Sequence, residues 1–303
     1  SGTSAPSSRV RTSAATVSGY LADSVNLGEQ WIVNAGLRTD TIKGKYEQEI
    51  GATPGKFSRT DSELSWRAGL AFKPVPTTSI YANYGTSFNP SIEQLSLAAN
   101  TADLEPEKSL TYELGSKSEI FNAQMALEPA VFRLEKTNAR TPSLVDPLLN
   151  VLTGAQRVDG AEISLVGRPS PKWQISSGYT YLLAKVIESN RPTEKNQLLA
   201  NTQKHSGNLW ASYIVSDKWD VGAGVFSVSS RTGALSADTA TNKFRKVDGY
   251  VTVNAMTKYR LSEDMDLQLN LTNLGDTKYF DAVSGGRLIP GAGRTVLLSS
   301  QFR

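Results

Sequence analysis

Few side chains in this sequence are able to do covalent or metal chemistry. His205 is the one histidine and there is no cysteine, so a thiolate metal site is excluded and no Ser/His/Asp set is indicated. A lone histidine is more often a hydrogen-bonding residue than a metal ligand. The glycine-rich stretch from Gly285 to Gly293 lacks the spacing of a phosphate-binding loop. Glu105 and Glu107 are most simply part of a solvated loop, so we expect no catalysis, no intrinsic cofactor and no metal site.

Cationic and aromatic side chains suited to binding occur in the long segments between the predicted strands. An arginine offers a planar fork of donors, and an aromatic ring offers a flat face for stacking or for a cation. The alternative is that these charges only meet lipopolysaccharide phosphates or water. The candidate ligand-binding residues are Arg140, Arg231, Arg245, Tyr279 and Arg287.

The elements that must position these residues are strands with two unlike faces, most clearly visible from Tyr250 to the C-terminal residue. Apolar residues there alternate with amides and hydroxyls, as in Val251, Val253 and Ala255 against Thr252, Asn254 and Met256, and in Leu267, Leu269 and Leu271 against Gln268, Asn270 and Thr272. A period of two places each set on its own face of a strand. This pattern is what a strand between lipid and a wet lumen requires.

The same alternation along the chain predicts about thirteen strands. We place them near 12–26, 30–48, 62–73, 78–88, 109–120, 123–138, 155–168, 173–186, 205–215, 219–231, 249–261, 265–274 and 293–303. Helical periodicity is visible only in a short piece near Ile92 to Ala99. Trp31, Trp173 and Trp219 each open a strand after a short turn, as in the aromatic girdle of a membrane barrel.

The connections between these strands alternate between short and long. The long ones are predicted at 49–61, 89–108, 139–154, 187–204, 232–248 and 275–292. In an up-and-down meander every second connection lies on the same side, so all the long loops fall at one rim and all the tight turns at the other. Bacterial outer-membrane barrels have this asymmetry, whereas a soluble sandwich has no reason to show it.

Composition agrees with a strand-built membrane protein. Hydrophobic residues make up 39% of the 303, and no run approaches the roughly 18 apolar residues of a membrane-spanning helix. The net charge of +3 is too small, and the basic residues too dispersed, to indicate nucleic-acid binding.

Two features depart from a simple closed barrel. Glu128 and Pro129 interrupt the sixth predicted strand, and a proline removes a ladder donor, so we expect a sheet edge or a bulge there. An odd number of strands is also wrong for a closed bacterial barrel, so we expect further N-terminal strands outside this sequence.

Several short sequence motifs resemble those of TonB-dependent siderophore receptors, most closely the catecholate-type branch. They occur in the right order over nearly the whole chain, at Tyr81–Ser91, Leu104–Ser109, Tyr112–Gly115, Phe132–Arg140, Val158–Glu162, Trp173–Tyr181, Asn201–His205, Asn270–Tyr279 and Gly291–Arg294. In such receptors a barrel of about 22 strands is filled by an N-terminal plug.

The resemblance implies an all-β, antiparallel up-and-down transmembrane β-barrel that is incomplete here. Residues 1–303 then form the C-terminal part, with the plug domain and the N-terminal strands absent. The expected location is the outer membrane of a Gram-negative bacterium. The expected partners are a ferric siderophore of the catecholate type, outer-membrane lipid and lipopolysaccharide, and the TonB complex acting through the missing N-terminal region.

Two other functions remain open from the sequence. A passive outer-membrane channel would need a constriction loop folded into the lumen and no plug. A soluble β-sheet binding protein would need its apolar faces to meet a core, and repeats of the kind that build propeller blades are not visible.

Overall fold

The structure is a computed structural model that describes residues 9–50, 55–90, 105–142, 150–233, 246–284 and 287–302. Its strands in chain order are β1 (Arg9–Leu27), β2 (Trp31–Ile50), β3 (Gly55–Val75), β4 (Thr78–Asn89), β5 (Glu107–Ile120), β6 (Met125–Pro142), β7 (Asn150–Ser170), β8 (Trp173–Glu188), β9 (His205–Ser216), β10 (Trp219–Val228), β11 (Arg231–Thr232), β12 (Lys246–Val247), β13 (Tyr250–Arg260), β14 (Met265–Thr272), β15 (Phe280–Ser284), β16 (Arg287–Pro290) and β17 (Thr295–Phe302). A 3-10 turn spans Pro192–Glu194.

Thirteen of these strands form one antiparallel sheet in which each strand pairs with the next sheet strand along the chain. The order is β1-β2-β3-β4-β5-β6-β7-β8-β9-β10-β13-β14-β17, which confirms the predicted number of strands and the up-and-down meander. The short strands form two separate hairpins, β11-β12 and β15-β16. Within the described residues β1 and β17 each pair on one side only, so the sheet is an incomplete barrel.

The apolar side chains share one face of the whole sheet. Cross-strand partners such as Trp31 with Phe72, Val225 with Val253 and Leu269 with Leu298 continue this face from strand to strand. Its large side chains stay exposed, with Leu64 at 63% and Leu298 at 67%. The other face carries the amides, including Asn34, Asn83, Asn254 and Asn270. The alternation therefore separates a lipid face from a lumen face, as predicted.

The described part of the chain contains no helix with the length and hydropathy needed to cross a lipid bilayer.

Short turns join the strands at one end of the sheet, which we call the short-turn rim; the opposite end is the long-loop rim. Near the short-turn rim, Trp31 lies 4.5 Å from Phe72 and Trp173 lies 4.9 Å from Tyr213, measured between ring centroids. The indole N–H of Trp219 donates to Thr257 Oγ1 across 2.7 Å. The three tryptophans are exposed on the lipid face, which is the girdle position predicted from the sequence.

Several predicted loops are partly strand. The segment 49–61 was predicted as a loop, but β2 runs to Ile50 and β3 begins at Gly55. Charged and polar residues on both faces hide the alternation there, while cross-strand contacts hold the pair together. The rings of Tyr46 and Phe57 lie 5.9 Å apart, and Lys56 Nζ lies 2.6 Å from Glu47 Oε1.

Other predicted boundaries change in the same way. The predicted loop 139–154 is shortened because β6 reaches Pro142 and β7 begins at Asn150, and the predicted loop 275–292 contains β15 and β16. The predicted strand 219–231 ends at Val228, and Arg231 belongs to the separate strand β11. The helix expected near Ile92 to Ala99 lies outside the described residues.

Pro129 lies inside the sheet, so the expected edge or bulge was wrong. On the β7 side it pairs with Ile163 without a register shift. On the β5 side the paired positions skip from Gly115 with Ala130 to Ser118 with Leu127 at an unchanged register. Pro129 has no N–H group to donate, and the β5–β6 ladder has a local gap at this position. The continuous β6–β7 pairing holds β6 in place there.

Candidate ligand-binding site

Arg231 joins the β15-β16 hairpin to the long-loop rim. Its side chain is 7% exposed, and its Nη2 group donates to the carbonyls of Phe280, at 2.7 Å, and Asp281. A buried guanidinium needs such acceptors, because an unpaired charge away from water is costly. Arg231 Nε and Thr232 Oγ1 are buried polar atoms without a hydrogen-bond partner among the described residues.

The hairpin is also attached through Asn201. The backbone N–H of Val283 donates to Asn201 Oδ1 across 3.3 Å, and the backbone N–H of Asn201 donates to the Thr232 carbonyl across 2.7 Å. These contacts join the segment after β8, the strand β11 and the hairpin at one place. The hairpin is therefore held by side chains from two other segments, Arg231 in β11 and Asn201 after β8.

Tyr279, at the base of the hairpin, stacks on Tyr250, the first residue of β13. The ring centroids are 4.1 Å apart and the planes meet at 29°. Tyr250 has the strand parity of Thr252 and Asn254, which places it on the lumen face, and its ring lies 6.2 Å from that of Phe226. The Tyr250 hydroxyl also donates to Asp281 Oδ1 across 3.5 Å. A column of aromatic rings thus lines the lumen wall beside Arg231.

Asn273 fixes the path of the chain from β14 to Tyr279. It is 1% exposed and has a φ of 52°, a left-handed conformation that asparagine tolerates. Its Nδ2 group donates to the carbonyls of Thr277 and Ala292, each across 3.0 Å, and its Oδ1 accepts from the Thr277 N–H across 2.9 Å. The two ends of the hairpin segment are therefore tied to one buried amide.

Asp276 adds an electrostatic tie in the same segment. Its Oδ1 accepts a hydrogen bond of 3.0 Å from the Arg294 backbone N–H, and its Oδ2 lies 3.0 Å from Lys278 Nζ. The Arg294 N–H and then the Lys278 ammonium hold the pKa of Asp276 below its ordinary value of 3.8, because both favour the carboxylate.

The structure brings together two of the five residues predicted from the sequence, Arg231 and Tyr279, at the hairpin. Arg140 lies in β6 and Arg287 in β16, both toward the long-loop rim, and only their backbone positions are described. Arg245 lies outside the described residues. The assignment of these residues to ligand binding therefore stays a prediction.

Sequence reasoning missed Tyr250 and Asp281. Tyr250 carried a usable signal, because its parity in β13 puts its ring on the face of Asn254. Asp281 had no such signal, since its contact with Tyr250 joins residues that are 31 positions apart.

His205 does not form part of a metal site in the structure. Its Nδ1 lies 2.7 Å from the Tyr179 hydroxyl, and its ring lies 5.2 Å from that of Tyr181. Within the described ranges, no group of three or more histidine, aspartate or glutamate side chains is placed to hold a metal ion. What the long-loop rim offers is a lumen-facing set of aromatic rings, positioned by the buried Arg231 and suited to stacking on a flat ligand.

Comparison with protein families gives a match to "TonB dependent receptor-like, beta-barrel" over residues 1–274. Among curated relatives, "Probable TonB-dependent siderophore receptor PiuA" of Acinetobacter baumannii is 31% identical, covering 94% of this chain and 40% of the relative. "Catecholate siderophore receptor Fiu" of Escherichia coli K12 is 28% identical, covering 93% of this chain and 41% of the relative. The chain therefore spans about two fifths of the length of these relatives.

Solved structures show the same arrangement of strands. The crystal structure of the siderophore receptor PiuA from Acinetobacter baumannii matches with a TM-score of 0.89 at 28% identity, over 97% of this chain and 44% of that one. The closed form of the ferric-catecholate import receptor Fiu from E. coli K12 matches with a TM-score of 0.85 at 26% identity. The match covers 97% of this chain and 45% of that one.

Proposed function

Because the chain belongs to the TonB-dependent receptor β-barrel family, we propose that it forms part of a receptor and transporter for ferric siderophores, with the ligand bound at the long-loop rim. The protein is an outer-membrane protein of a Gram-negative bacterium, so this rim faces the outside and the short turns face the periplasm. The two alternatives, a passive channel and a soluble binding protein, lose their support with this family membership.

The observation that carries the proposal is the stack of Tyr250 and Tyr279 on the lumen face at the outer end of the barrel wall, held in place by the buried Arg231. A ferric siderophore of the catecholate type is anionic and has flat aromatic faces, so guanidinium groups and tyrosine rings suit it. The names of two relatives, a siderophore receptor and a catecholate siderophore receptor, support the same class of ligand.

We propose that residues 1–303 supply the C-terminal part of the barrel, and that a plug domain and N-terminal strands come from elsewhere in the receptor. The TonB complex then drives import by acting on that other region. Outer-membrane lipid and lipopolysaccharide surround the apolar face. Iron arrives already bound by siderophore oxygens, so the chain needs no intrinsic cofactor and carries out no catalysis.

The proposal is tested by equilibrium binding of a ferric catecholate to the full-length receptor at two ionic strengths. The test variant combines Arg140→Ala, Arg245→Ala and Arg287→Ala. It leaves Arg231 in place, because the Arg231 side chain anchors the hairpin backbone. Charge-assisted hydrogen bonds contribute about 1.5–3 kcal/mol when desolvated, and about 1 kcal/mol or less when exposed. We expect weaker binding in the triple variant and a smaller effect of salt.

The matched control removes three cations from the short-turn rim through Lys73→Ala, Arg168→Ala and Lys218→Ala. It changes the net charge by the same amount but leaves the outer rim intact, so its affinity and salt dependence should equal those of the wild type. Unchanged affinity in the outer-rim variant would remove these three arginines from the site. A wild-type receptor that binds no ferric catecholate would reject the ligand class.

A further inference from the structure

The five tryptophans of the chain all lie within the described residues, and Trp210 of β9 is the one on the lumen face. The other four are exposed on the lipid face. Register assigns the face of Trp210, because Gly224 pairs both with Trp210 and with the lumen-facing Asn254. On the lipid face an indole anchors the barrel at the membrane interface, and a ring that faces the lumen has no part in this anchoring. Trp210 therefore has a different role.

Two glycines of β10 allow the Trp210 ring to lie along the lumen wall. A Cβ added at Gly222 would lie 2.8 Å from Trp210 Cζ2, and one added at Gly224 would lie 2.6 Å from Trp210 Cε3. Side chains of a strand usually stand roughly perpendicular to the sheet, whereas this indole covers the backbone of the neighbouring strand. One face of the indole is thus turned to β10 and the other to the lumen. The lumen-side face is a flat surface on which a second ring can stack.

Trp210 continues the aromatic column that begins at Tyr250. Phe226 shares the lumen face of β10 with the two glycines, and its ring centroid is 6.2 Å from that of Tyr250. Met256 Cγ would lie 3.2 Å from a Cβ added at Gly222, so Met256 borders the indole on the side of the short turns. Four residues together form this surface, which we call the lumen track: Tyr250, Phe226, Trp210 and Met256.

The lumen track runs down the wall from the long-loop rim. Tyr250 precedes Arg260, the last residue of β13, by 10 residues, and Met256 precedes it by 4. At about 3.4 Å per residue and a tilt of about 40°, Tyr250 lies about 26 Å above the short-turn end of β13 and Met256 about 10 Å above it. The track therefore joins the outer pair of Tyr250 and Tyr279 to the inner half of the lumen.

The lumen track carries no charge. Among the described residues on the lumen face of β9, β10, β13 and β14, charged side chains occur at the short-turn end, at Asp220, Lys258, Arg260 and Asp266. Asp266 is ion-paired there, with its Oδ2 3.0 Å from Lys258 Nζ. An anionic ligand therefore meets no carboxylate of these strands between Tyr250 and Met256.

The lumen wall of β5 to β7 is different. Glu113 faces the lumen, because it pairs with Asn83 and Phe132, and Glu162 faces it two residues along β7 from Gly160, the partner of Phe132. Like charges repel, so an anionic ligand is disfavoured on this sector of the wall. Phe132 covers Gly160 in the same way as Trp210 covers the glycines of β10. The two sectors thus both offer aromatic surface and differ in charge.

We propose that the lumen track is a second contact surface for the ferric siderophore, on which a flat ring of the ligand stacks as it moves from the outer rim into the lumen. This inference rests on the proposed function and adds the sector of the wall that the ligand follows. Two observations select this occupant: the track begins at Tyr250, beside Tyr279, and it offers ring faces without carboxylates. The competing occupant is an apolar side chain of the plug domain, which would pack on the same indole.

The first test identifies what touches position 210 in the full-length receptor. The photoreactive residue p-benzoylphenylalanine replaces Trp210, cells importing a ferric catecholate are illuminated, and mass spectrometry identifies the species bound to the receptor. The control carries the same residue in place of Phe132, which lies over a glycine on the carboxylate-lined sector. We expect a ligand adduct at position 210 and little or none at position 132. Cross-links from position 210 to the plug domain alone, or equal ligand adducts at the two positions, would overturn the inference.

The second test separates import from binding. Trp210→Ala should lower the rate of ferric-catecholate import about two- to tenfold per ligand-binding receptor, since one aromatic stack is lost. Equilibrium binding to resting cells should change little, because Tyr250 and Tyr279 at the outer rim are intact. Trp210→Phe keeps a ring and should recover most of the rate, and Phe132→Ala should import like the wild type.

The outcomes separate this inference from the proposed function. If Trp210→Ala imports as fast as the wild type, the ligand does not use the lumen track, although the receptor function stands. A wild-type receptor that binds no ferric catecholate instead rejects the proposed ligand class, and the lumen track with it.

Discussion

Arg231 and Phe280 are 49 positions apart in the chain, yet Arg231 Nη2 donates a hydrogen bond of 2.7 Å to the Phe280 carbonyl. The residue before Phe280 is Tyr279, whose ring stacks on Tyr250 of the barrel wall. Arg231 therefore fixes the position of the aromatic surface that we assign to the ligand. Its contribution to binding includes this anchoring as well as any contact of its own.

Replacing Arg231 should loosen the hairpin. Arg231→Ala leaves the carbonyls of Phe280 and Asp281 without this donor, and an unsatisfied group costs about 1–3 kcal/mol where it is buried. We expect faster hydrogen exchange at Val283 and weaker binding of a ferric catecholate, both measured on the full-length receptor. Arg231→Lys should restore only part of the protection, because an ammonium lacks the planar fork.

Arg168→Ala is the matched control for this experiment, because Arg168 lies in β7 near the short-turn rim, far from the hairpin along the strands. The rate of hydrogen exchange at Val283 in the Arg168→Ala receptor should equal that in the wild type. Normal protection of Val283 in Arg231→Ala would show that Asn201 and Asn273 suffice to hold the hairpin.

Gly291 lies against the Tyr279 ring. A Cβ added at Gly291 would meet the ring atoms of Tyr279, so alanine there must displace the ring. Loss of the stack with Tyr250 should weaken ligand binding about two- to tenfold, since aromatic pairs contribute about 0.5–1.5 kcal/mol. At Gly275, in the same segment, the nearest atom to an added Cβ is Thr277 Oγ1 at 3.6 Å, an ordinary contact.

Equilibrium binding of a ferric catecholate to the Gly291→Ala and Gly275→Ala receptors tests whether the Tyr279 ring contributes to ligand binding. The Gly275→Ala receptor should bind like the wild type. If both variants bind equally well, the Tyr279 ring is not part of the ligand surface.

The strand pattern could be predicted from the sequence because the barrel wall obeys a local rule. Leu267, Leu269 and Leu271 alternate with polar residues, and the structure places them on one face of β14. The rule fails where both faces meet water. From Gly55 to Asp61 the charged and polar residues lie on both faces, so the outer part of β3 was predicted as a loop.

The site was harder to predict because its contacts are long-range. Arg231 and Tyr279 were proposed from residue type and loop position, and the structure places both at the hairpin. The burial of Arg231 and its bonds to backbone carbonyls had no signal in the sequence, since exposed and buried arginines look alike there. Asn273 lies within one of the recognised sequence motifs, Asn270–Tyr279. Its hydrogen bonds to the Thr277 and Ala292 carbonyls could be seen only in the folded structure.

The Asp276 carboxylate should make the hairpin segment sensitive to acid. Its pKa is lowered in the folded protein by the Arg294 N–H and by Lys278, so its stabilising effect is present above the unfolded pKa, near 3.8. The effect is lost as the pH falls through the lower folded pKa. Asp276→Asn removes this titration.

The thermal unfolding midpoint of the full-length receptor, followed from about pH 6 to about pH 3, checks this prediction. Near pH 6 the midpoint of the wild type should be higher than that of Asp276→Asn. The difference between the two midpoints should shrink toward pH 3. Asp217→Asn, in the turn between β9 and β10, is the control at the opposite rim. A gap that stays constant over this range would show that the Asp276 charge does not hold the segment.

Leu269 and Asn270 are neighbours in β14 on opposite faces, and they test which face meets lipid. Leu269 pairs with Leu298 on the apolar face, whereas Asn270 pairs with Met256 and accepts a hydrogen bond of 2.9 Å from Gln268 Nε2 on the other face. Leu269→Arg should lower the free energy of unfolding in lipid vesicles by about 2–4 kcal/mol, because it puts a charge into hydrocarbon. Asn270→Arg adds the same side chain on the wet side and should cost much less. Equal losses in the two variants would contradict the assignment of the faces, and a larger loss at Asn270 would reverse it.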